Sequence, residues 1–498
     1  MKKLFLLIVI IAGILAHLGS GGSDGNTDDE PTITVTTVAN PNNILSVYVN
    51  WTTATPMNSE VQFGVGGYQF RIRDSTEVTS HNVLVIGMHA ETTYLIKAIS
   101  SKNNNTLQDE TTWTTGPLPP GVPEGVMLTN NAAMLQPGWT LMNVQVGNGT
   151  FAMSDLPARV IMYDNSGKPV WYYIDGTKPD RGGALSTEFL VSSNTILIGP
   201  TGVPPNDVPP REVDLAGNII WEGPTGPANV SADNQLSHDV LKLSNGHYIL
   251  LRWMKDAGGG PTDARLEEVT ANNQVVWDWN LFDFYTPPED WSSSDWATVD
   301  WCHANSATVD IVNDEVYLSC RWLGLFKTAY NYDNINPELE YHLPAVYNSS
   351  GEGDMSFVPP ESQFNDIHDP EIHDDGTIMF FDNDGWNFLP AAPGGYHSRI
   401  LEFAIDEQTK TATLVWEFPG DFDVDPWFTD DFYCPYWGDA NRLENGNVIV
   451  AAGVRGAGSI SHVFEVTNDG EVVWDFTLPE DHGVYRATRI NPPLIEPL

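Results

Sequence analysis

Met162-Tyr163-Asp164-Asn165-Ser166-Gly167-Lys168-Pro169-Val170-Trp171 decides how this chain folds. An apolar run enters a polar turn containing Gly167, and a second apolar run leaves it and ends on Trp171. Asn, Ser and Gly suit tight turns, and β-branched and aromatic residues suit the strands on either side. The unit returns at Val213 to Trp221, Glu268 to Trp277, Leu401 to Trp416 and Phe464 to Trp474. Its tryptophans lie 50, 56, 139 and 58 residues apart, and the long gap accommodates one further unit with inserted loops, which makes six.

A second unit falls between these. It reads Leu243-Ser244-Asn245-Gly246-His247-Tyr248-Ile249-Leu250, then His373-Asp374-Asp375-Gly376-Thr377-Ile378-Met379, then Leu443-Glu444-Asn445-Gly446-Asn447-Val448-Ile449-Val450. Asn-Gly and Asp-Gly supply the positive φ of tight hairpins. Two hairpins per ~50–60 residues make a four-stranded blade, and blades closing radially leave few exposed sheet edges. The expected fold is all-β, with a six-bladed β-propeller over residues 117–498.

Upstream, residues 32–116 show short alternating strands such as Thr32 to Val35, Leu45 to Trp51 and Thr93 to Ala98, with turns about every ten residues. The spans Val47 to Thr55, Val61 to Gly64 and His81 to Val85 resemble fibronectin type III or Ig-like modules, so a small β-sandwich is expected here. Gly116-Pro117-Leu118-Pro119-Pro120-Gly121 reads as a stiff hinge. Residues 1–20 read as a signal peptide: Lys2 and Lys3 precede the apolar Leu4 to Ala16, and small residues follow at Gly19 to Ser23. An uncleaved anchor is the alternative. Residues 21–31 are small and acidic, as a flexible linker is. A periplasmic or otherwise exported protein is expected.

Sixty-six acidic side chains against 23 basic ones give a formal charge of −43. Nucleic acids and anionic membrane surfaces are therefore excluded as partners, because phosphates need Lys and Arg. Three cysteines, Cys302, Cys320 and Cys434, allow at most one intrachain disulfide in an oxidising compartment, and Cys302 with Cys320 flanks a hairpin.

Chemistry is expected at three histidines. His238 lies eight residues before Gly246, His368 lies eight before Gly376, and His303 opens His303-Ala304-Asn305-Ser306 ahead of a hairpin at Asn313-Asp314. Equivalent positions in successive blades share one radius and height, so these imidazoles converge on the axis. Arg321 ends the strand returning from the hairpin that His303 begins. Asn305 shares its face if the loop has three residues and opposes it if the loop has two. Asp239 and Asp369 are expected to be turn or supporting groups, since strand neighbours point to opposite faces. Three histidines also suit zinc, but a guanidinium beside them would repel a cation and suit an oxyanion. No metal or other cofactor is expected.

These residues resemble the bacterial arylsulfate sulfotransferases over roughly residues 120–498. The resemblance lies in His303-x-Asn305 followed by Arg321, in the His238 unit, and in the His368 unit with Phe381-Asp382-Asn383. It extends to Pro137-Gly138-Trp139-Thr140-Leu141, Ser398-Arg399-Ile400-Leu401-Glu402 and Tyr485-Arg486-Ala487, while Asp384 stands where the family pattern has Gly. It implies transfer of a sulfuryl group from an aryl sulfate to a phenol without a nucleotide sulfate donor. His368 is then the nucleophile, His238 and His303 are the other catalytic imidazoles, and Asn305 and Arg321 bind substrate, Arg321 offering a planar fork for two oxygens. Rival functions are a non-catalytic propeller that binds anions or glycans, and an arylsulfatase-like hydrolase using the same site. Homodimerisation through the N-terminal module is left open.

Overall fold

The computed structural model describes residues 32–146, 159–174, 186–200, 208–224, 234–255, 262–285, 302–331, 338–346, 354–384, 397–419, 432–453, 460–480 and 482–498. The expected signal peptide and linker fall outside them. Among the described residues six sheets of four or five strands follow one another along the chain. The first three blades run Thr187–Leu190 to Ile219–Glu222, Asn234–Lys242 to Val275–Asn280, and Ala304–Asp310 to Leu339–Pro344. The fourth runs Ile367–Ile372 to Thr411–Phe418, and the fifth Asp439–Arg442 to Val472–Thr477. The sixth combines Ala487–Ile490 with Trp139–Val146, Arg159–Asp164 and Pro169–Ile174.

Segments from both ends of the propeller region complete this ring. Ala487–Ile490 adds the innermost strand to the sixth blade, and Val126–Asn130 adds an outer strand to the fifth. Six apolar clusters fill the six interfaces between neighbouring blades. For example, Leu197 and Trp221 of the first blade pack with Val240 and Leu250 of the second, and Met142 and Tyr163 of the sixth pack with Trp474 and Phe476 of the fifth. Burying a large apolar side chain contributes about 1.5–3 kcal/mol, so a closed ring of such clusters holds the blades without a central core.

The repeated tryptophans stitch the rim. Each donates its indole N–H to the outer hairpin of the next blade: Trp171 to Leu215 O, Trp221 to Asn273 Oδ1, Trp277 to Tyr330 O, Trp416 to Asn468 O and Trp474 to Asn165 O. The unit missing from the 139-residue gap is the third blade. There Tyr341 lies on the outer strand, and Lys327 reaches Glu407 of the fourth blade instead. The turn glycines Gly167, Gly246, Gly376 and Gly446 have φ of +81 to +87°, which the hairpins require.

The N-terminal module differs from expectation in its hydrogen bonding. Instead of two separate sheets, one six-stranded sheet folds over its own core of Trp51, Phe63, Ile96 and neighbours. The fold-over occurs where the 18-residue strand Val47–Gly64 loses register between Thr52 and Ser59. The C-terminal strand Glu496–Pro497 pairs with its Phe70 and Arg71. Asn43 Nδ2 donates to Tyr172 O and Asn40 Nδ2 to Ala216 O, which docks the module on the sixth and first blades.

Candidate active site

The innermost strands of four successive blades carry a left-handed residue within them or just before them. These are His238 (φ +46°), His303 (+47°), Asp369 (+46°) and Trp437 (+62°). Register breaks follow in three of them, between Leu236 and Val240, Ala304 and Ser306, and His368 and Glu371. A bulge re-aims the side chains around it, and here it turns the start of each strand inward. His238 and His368 share a sequence offset but not a conformation, since in the fourth blade the left-handed residue is the one after the histidine.

The three expected histidines are linked through ring contacts, His238 with His303 and both His238 and His368 with Tyr485. The rings of His238 and His303 stand edge to face with centroids 5.2 Å apart. Tyr485, from the closing blade, lies 6.1 Å from the His238 ring and 6.5 Å from the His368 ring, and its hydroxyl donates to Asn305 O at 3.0 Å. Trp437 meets Tyr485 at 6.1 Å, and Trp322 meets His303 at 6.0 Å. His303 O also accepts from Arg321 N at 3.1 Å, and the disulfide Cys302–Cys320 joins the residues immediately before each of them.

Arg321 is held differently from the fork expected for two sulfuryl oxygens. Its Nε lies 2.8 and 2.9 Å from the two oxygens of buried Asp366, and Nη2 donates to Asp366 Oδ2 at 2.8 Å and Pro435 O at 2.6 Å. The guanidinium plane rests on Trp322, 4.4 Å from its ring centroid. Arg321 therefore presents a fixed charge whose planar edge is already committed. Burial pushes the Asp366 carboxyl up to about 6, with Arg321 pulling the other way.

Asn305 settles the loop question with a third answer. The hairpin spans four residues between Asp310 and Glu315, and Asn305 is itself the bulged residue, because Ala304 faces Cys320 and Ser306 faces Ser319. Its Nδ2 donates to Ile367 O at 2.7 Å, so it braces the backbone just before His368.

His368 is the best defined of the three imidazoles. Its Nδ1 lies 2.5 Å from Asn383 Oδ1. The Asn383 amide cannot be turned round, because its Nδ2 donates to both Cys434 O and Trp437 O at 2.6 Å. Nδ1 must then carry the proton, and Nε2 keeps its lone pair. Burial holds the His368 pKa well below the ordinary imidazole value, reinforced by Arg321, His303 and His238, while the Asn383 bond opposes. His238 is crowded in the same way, and burial followed by His303, Arg486 and Arg321 keeps it neutral.

Beneath this layer lies a charged one. Arg486 donates from Nη1 and Nη2 to the two oxygens of Asp239 at 3.0 and 3.2 Å, and its Nε is 2.6 Å from Asp369 Oδ2. Asp239 accepts from Ala307 N, Ser306 donates to Asp369, and Asp439 accepts from Ala487 N. Asp239 and Asp369 are thus supporting groups, bonded from blade to blade around the axis.

The remaining histidines and arginines from the sequence are bonded elsewhere. His247 meets Glu268, buried His342 meets Asp354 and Leu323 O, and Arg399 pairs with Asp382 and Glu417. The backbone N–H of His397 donates to Asp384, and His482 contacts Glu480 O. Arg455 lies outside the described residues. Among the described residues, no three His, Cys, Asp or Glu side chains are grouped to hold a metal ion. Sequence reading overlooked Asp366 as the partner of Arg321 and Trp322 and Trp437 as walls. It met Asn383 and Tyr485 only as family signature residues. The one local signal available was that Asp366 immediately precedes Ile367–Ile372, the strand that carries His368, while Asn383 follows its hairpin partner Thr377–Asp382.

A family model described as arylsulfotransferase (ASST) matches residues 119–486. None of the curated proteins compared with the chain matches it. Among solved structures, a putative phosphatase from Bacteroides thetaiotaomicron is 12% identical, with 93% of this chain and 92% of that one covered and a TM-score of 0.32. A quinoprotein alcohol dehydrogenase-like protein from the same organism is 9% identical, with 86% and 91% covered and a TM-score of 0.33. The C-terminal WD40 domain of Sif2 is 7% identical, with 83% of each chain covered and a TM-score of 0.31. The propeller assignment rests on strand order and on the six filled interfaces rather than on these neighbours. The family match takes in His238, His303, Asn305, Arg321, His368, Asn383 and Tyr485, and the chain belongs to the arylsulfotransferase family, whose chemistry is aryl sulfotransfer.

Proposed function

We propose that this protein moves a sulfuryl group from an aryl sulfate ester to a phenolic acceptor by a ping-pong mechanism, through a sulfohistidine on His368 and without a nucleotide sulfate donor. The observation that carries this reading is the buried, neutral His368, pinned through Nδ1 so that Nε2 offers its lone pair. In the first step Nε2 bonds to sulfur, the sulfur–oxygen bond to the aryl group breaks, and the electron pair leaves on the phenolate. In the second, a phenol oxygen attacks the same sulfur and the nitrogen–sulfur bond breaks.

Charge spreads over three equatorial oxygens in each flattened transition state. A fixed donor aimed at such an oxygen contributes on the order of 3–4 kcal/mol. Arg321, locked by Asp366, supplies positive charge without having to reorganise. His238, held neutral, suits an N–H bond to a sulfuryl oxygen and not proton delivery. That leaves His303, edge-on to it, to protonate the departing phenolate and later to take the acceptor's proton. Asn305 supports the backbone of the nucleophile. We further propose that the chain works outside the cytoplasm, in line with the apolar Leu4 to Ala16 after Lys2 and Lys3.

The test is nitrophenol release from 4-nitrophenyl sulfate with and without phenol. Steady release that depends on phenol supports transfer. Release without phenol moves the assignment to hydrolysis, and no release at all moves it to binding. Asn305→Ala should retain measurable turnover, lowered by about 10- to 100-fold for one lost brace, whereas His368→Ala should lose it. Equal residual rates in the two variants would remove His368 from the nucleophile role.

A further inference from the structure

We infer that Asn383 is a positioning residue with two tasks: it fixes the tautomer of His368, and it keeps the sulfohistidine cationic so that the sulfuryl group can leave again. The inference rests on the transfer reading above and goes beyond it, because it explains why an amide, and not a carboxylate, backs the nucleophile.

The first task follows from geometry. Two backbone carbonyls, Cys434 O and Trp437 O, each stand 2.6 Å from Asn383 Nδ2, and carbonyls only accept. They turn Oδ1 towards His368, and Oδ1 can bond Nδ1 only if Nδ1 carries hydrogen. Both carbonyls come from the stretch leading into the fifth blade, so this blade sets the tautomer of a residue on the fourth.

The second task follows from proton balance. When Nε2 bonds to sulfur, the ring holds a proton on Nδ1 and a sulfuryl group on Nε2, and the ring is an imidazolium. A carboxylate at Nδ1 would share or take that proton, leaving a neutral sulfoimidazole, which is a poorer leaving group. An amide oxygen is too weak a base to take it, so the charge stays on the ring until the nitrogen–sulfur bond breaks. The nearest carboxylate is kept out of this exchange. Asp366 Oδ1 is 3.7 Å from His368 Nδ1, and both Asp366 oxygens are bonded by Arg321. Its charge is close enough to favour the imidazolium, but it accepts no hydrogen bond from the ring.

Two substitutions separate the tasks. In rapid-mixing experiments with 4-nitrophenyl sulfate, the wild-type protein should release about one nitrophenol per site in a burst and then turn over with phenol. Asn383→Asp should keep the burst but pass the sulfuryl group to phenol at least ~100-fold more slowly, with sulfohistidine accumulating. Asn383→Leu should slow the burst itself by ~100-fold or more, as a histidine in the wrong tautomer costs a hydrolase up to ~10⁴-fold. Wild-type transfer in Asn383→Asp would overturn the second task, and a wild-type burst in Asn383→Leu would overturn the first. Because a carboxylate facing two carbonyls can disturb the fold, a third measurement uses the intact protein. In ¹⁵N-histidine spectra, assigned by loss of a signal in His368→Gln, the neutral His368 ring should show a protonated Nδ1, and a protonated Nε2 would refute the assignment. A wild-type protein with no burst sinks the transfer reading itself. A wild-type burst with an unaltered Asn383→Asp sinks only the second task.

Discussion

His238 and Asp239 are consecutive residues, as are His368 and Asp369, yet the members of each pair belong to layers with opposite physics. In the imidazole layer, burial keeps His238 and His368 uncharged, and the rings of His238 and His303 stand edge to face. The layer beneath it is built on an ion-pair cluster, with Arg486 gripping Asp239 and Asp369, while burial and the nearby Asp369 push the Asp439 carboxyl well above its ordinary range and Ser306 completes the bonding between blades. A left-handed residue, His238 in the one pair and Asp369 in the other, sits at the step between the two members. The comparison teaches that stability and reactivity are separated along the axis by a single residue step. Opposite charges are paired where blades are bonded to each other, and His238 and His368 are kept uncharged in the layer above.

The largest effect expected from this contrast is on activity alone. His368→Ala should reduce turnover of 4-nitrophenyl sulfate by ~10⁴-fold or more while leaving the thermal midpoint nearly unchanged, checked by steady-state rates and calorimetry on one preparation. A large loss of stability would mean that the imidazole layer also holds the ring. The converse substitution, Arg486→Leu, should destabilise the protein by about 3–5 kcal/mol, because it strands buried carboxylates without their partner. Denaturant unfolding reads this directly, and unchanged stability would break the division of labour.

A smaller effect concerns pH. His368 and His238 have pKa values depressed by burial, so both stay neutral in the folded protein below the ordinary imidazole value of about 6.5. The acid limb of the rate profile should therefore lie below that value rather than at it. Their depressed pKa values also mean that the unfolded chain takes up protons first on acidification, so stability falls as pH drops below about 6.5. The smallest effect lies away from the axis. Burial lowers the pKa of His373, but hydrogen bonds to Glu371 and Glu402 outweigh it and bring it up to about 9. A raised histidine stabilises fully below about 6.5 and loses that contribution as pH climbs towards 9. The thermal midpoint of the wild type should accordingly fall more than that of His373→Gln across this window.

The blade repeat was legible because it is local. A polar turn, flanking apolar residues and a terminal tryptophan are dictated within a short stretch, and five of the six units carry them, with Gly167, Gly217 and Gly470 at the turn in three and Asn273 and Lys410 taking the positive φ in the other two. The sixth escaped because Tyr341 stands on the outer strand where the others place tryptophan, and Lys327 forms the bridge to the next blade. That His238, His303 and His368 lie near one another was legible too, since similar positions in a rotationally repeated structure fall near one radius, although His238 and His368 differ in conformation. The bonding of Arg321 and Asn305 was not, because Asp366 and Ile367 come from the next blade and nothing in their own sequence announces it.

The sequence alone therefore determined the all-β repeat, the number of blades and which histidines meet, since each follows from short-range patterning multiplied by symmetry. Only the tertiary structure decided the tautomer of His368, the engagement of Arg321 and the pairing of Arg486. Each of these depends on which carbonyl or carboxylate an adjacent blade brings within about 3 Å, the distance at which a hydrogen bond forms, and ring closure sets that distance while no local pattern encodes it.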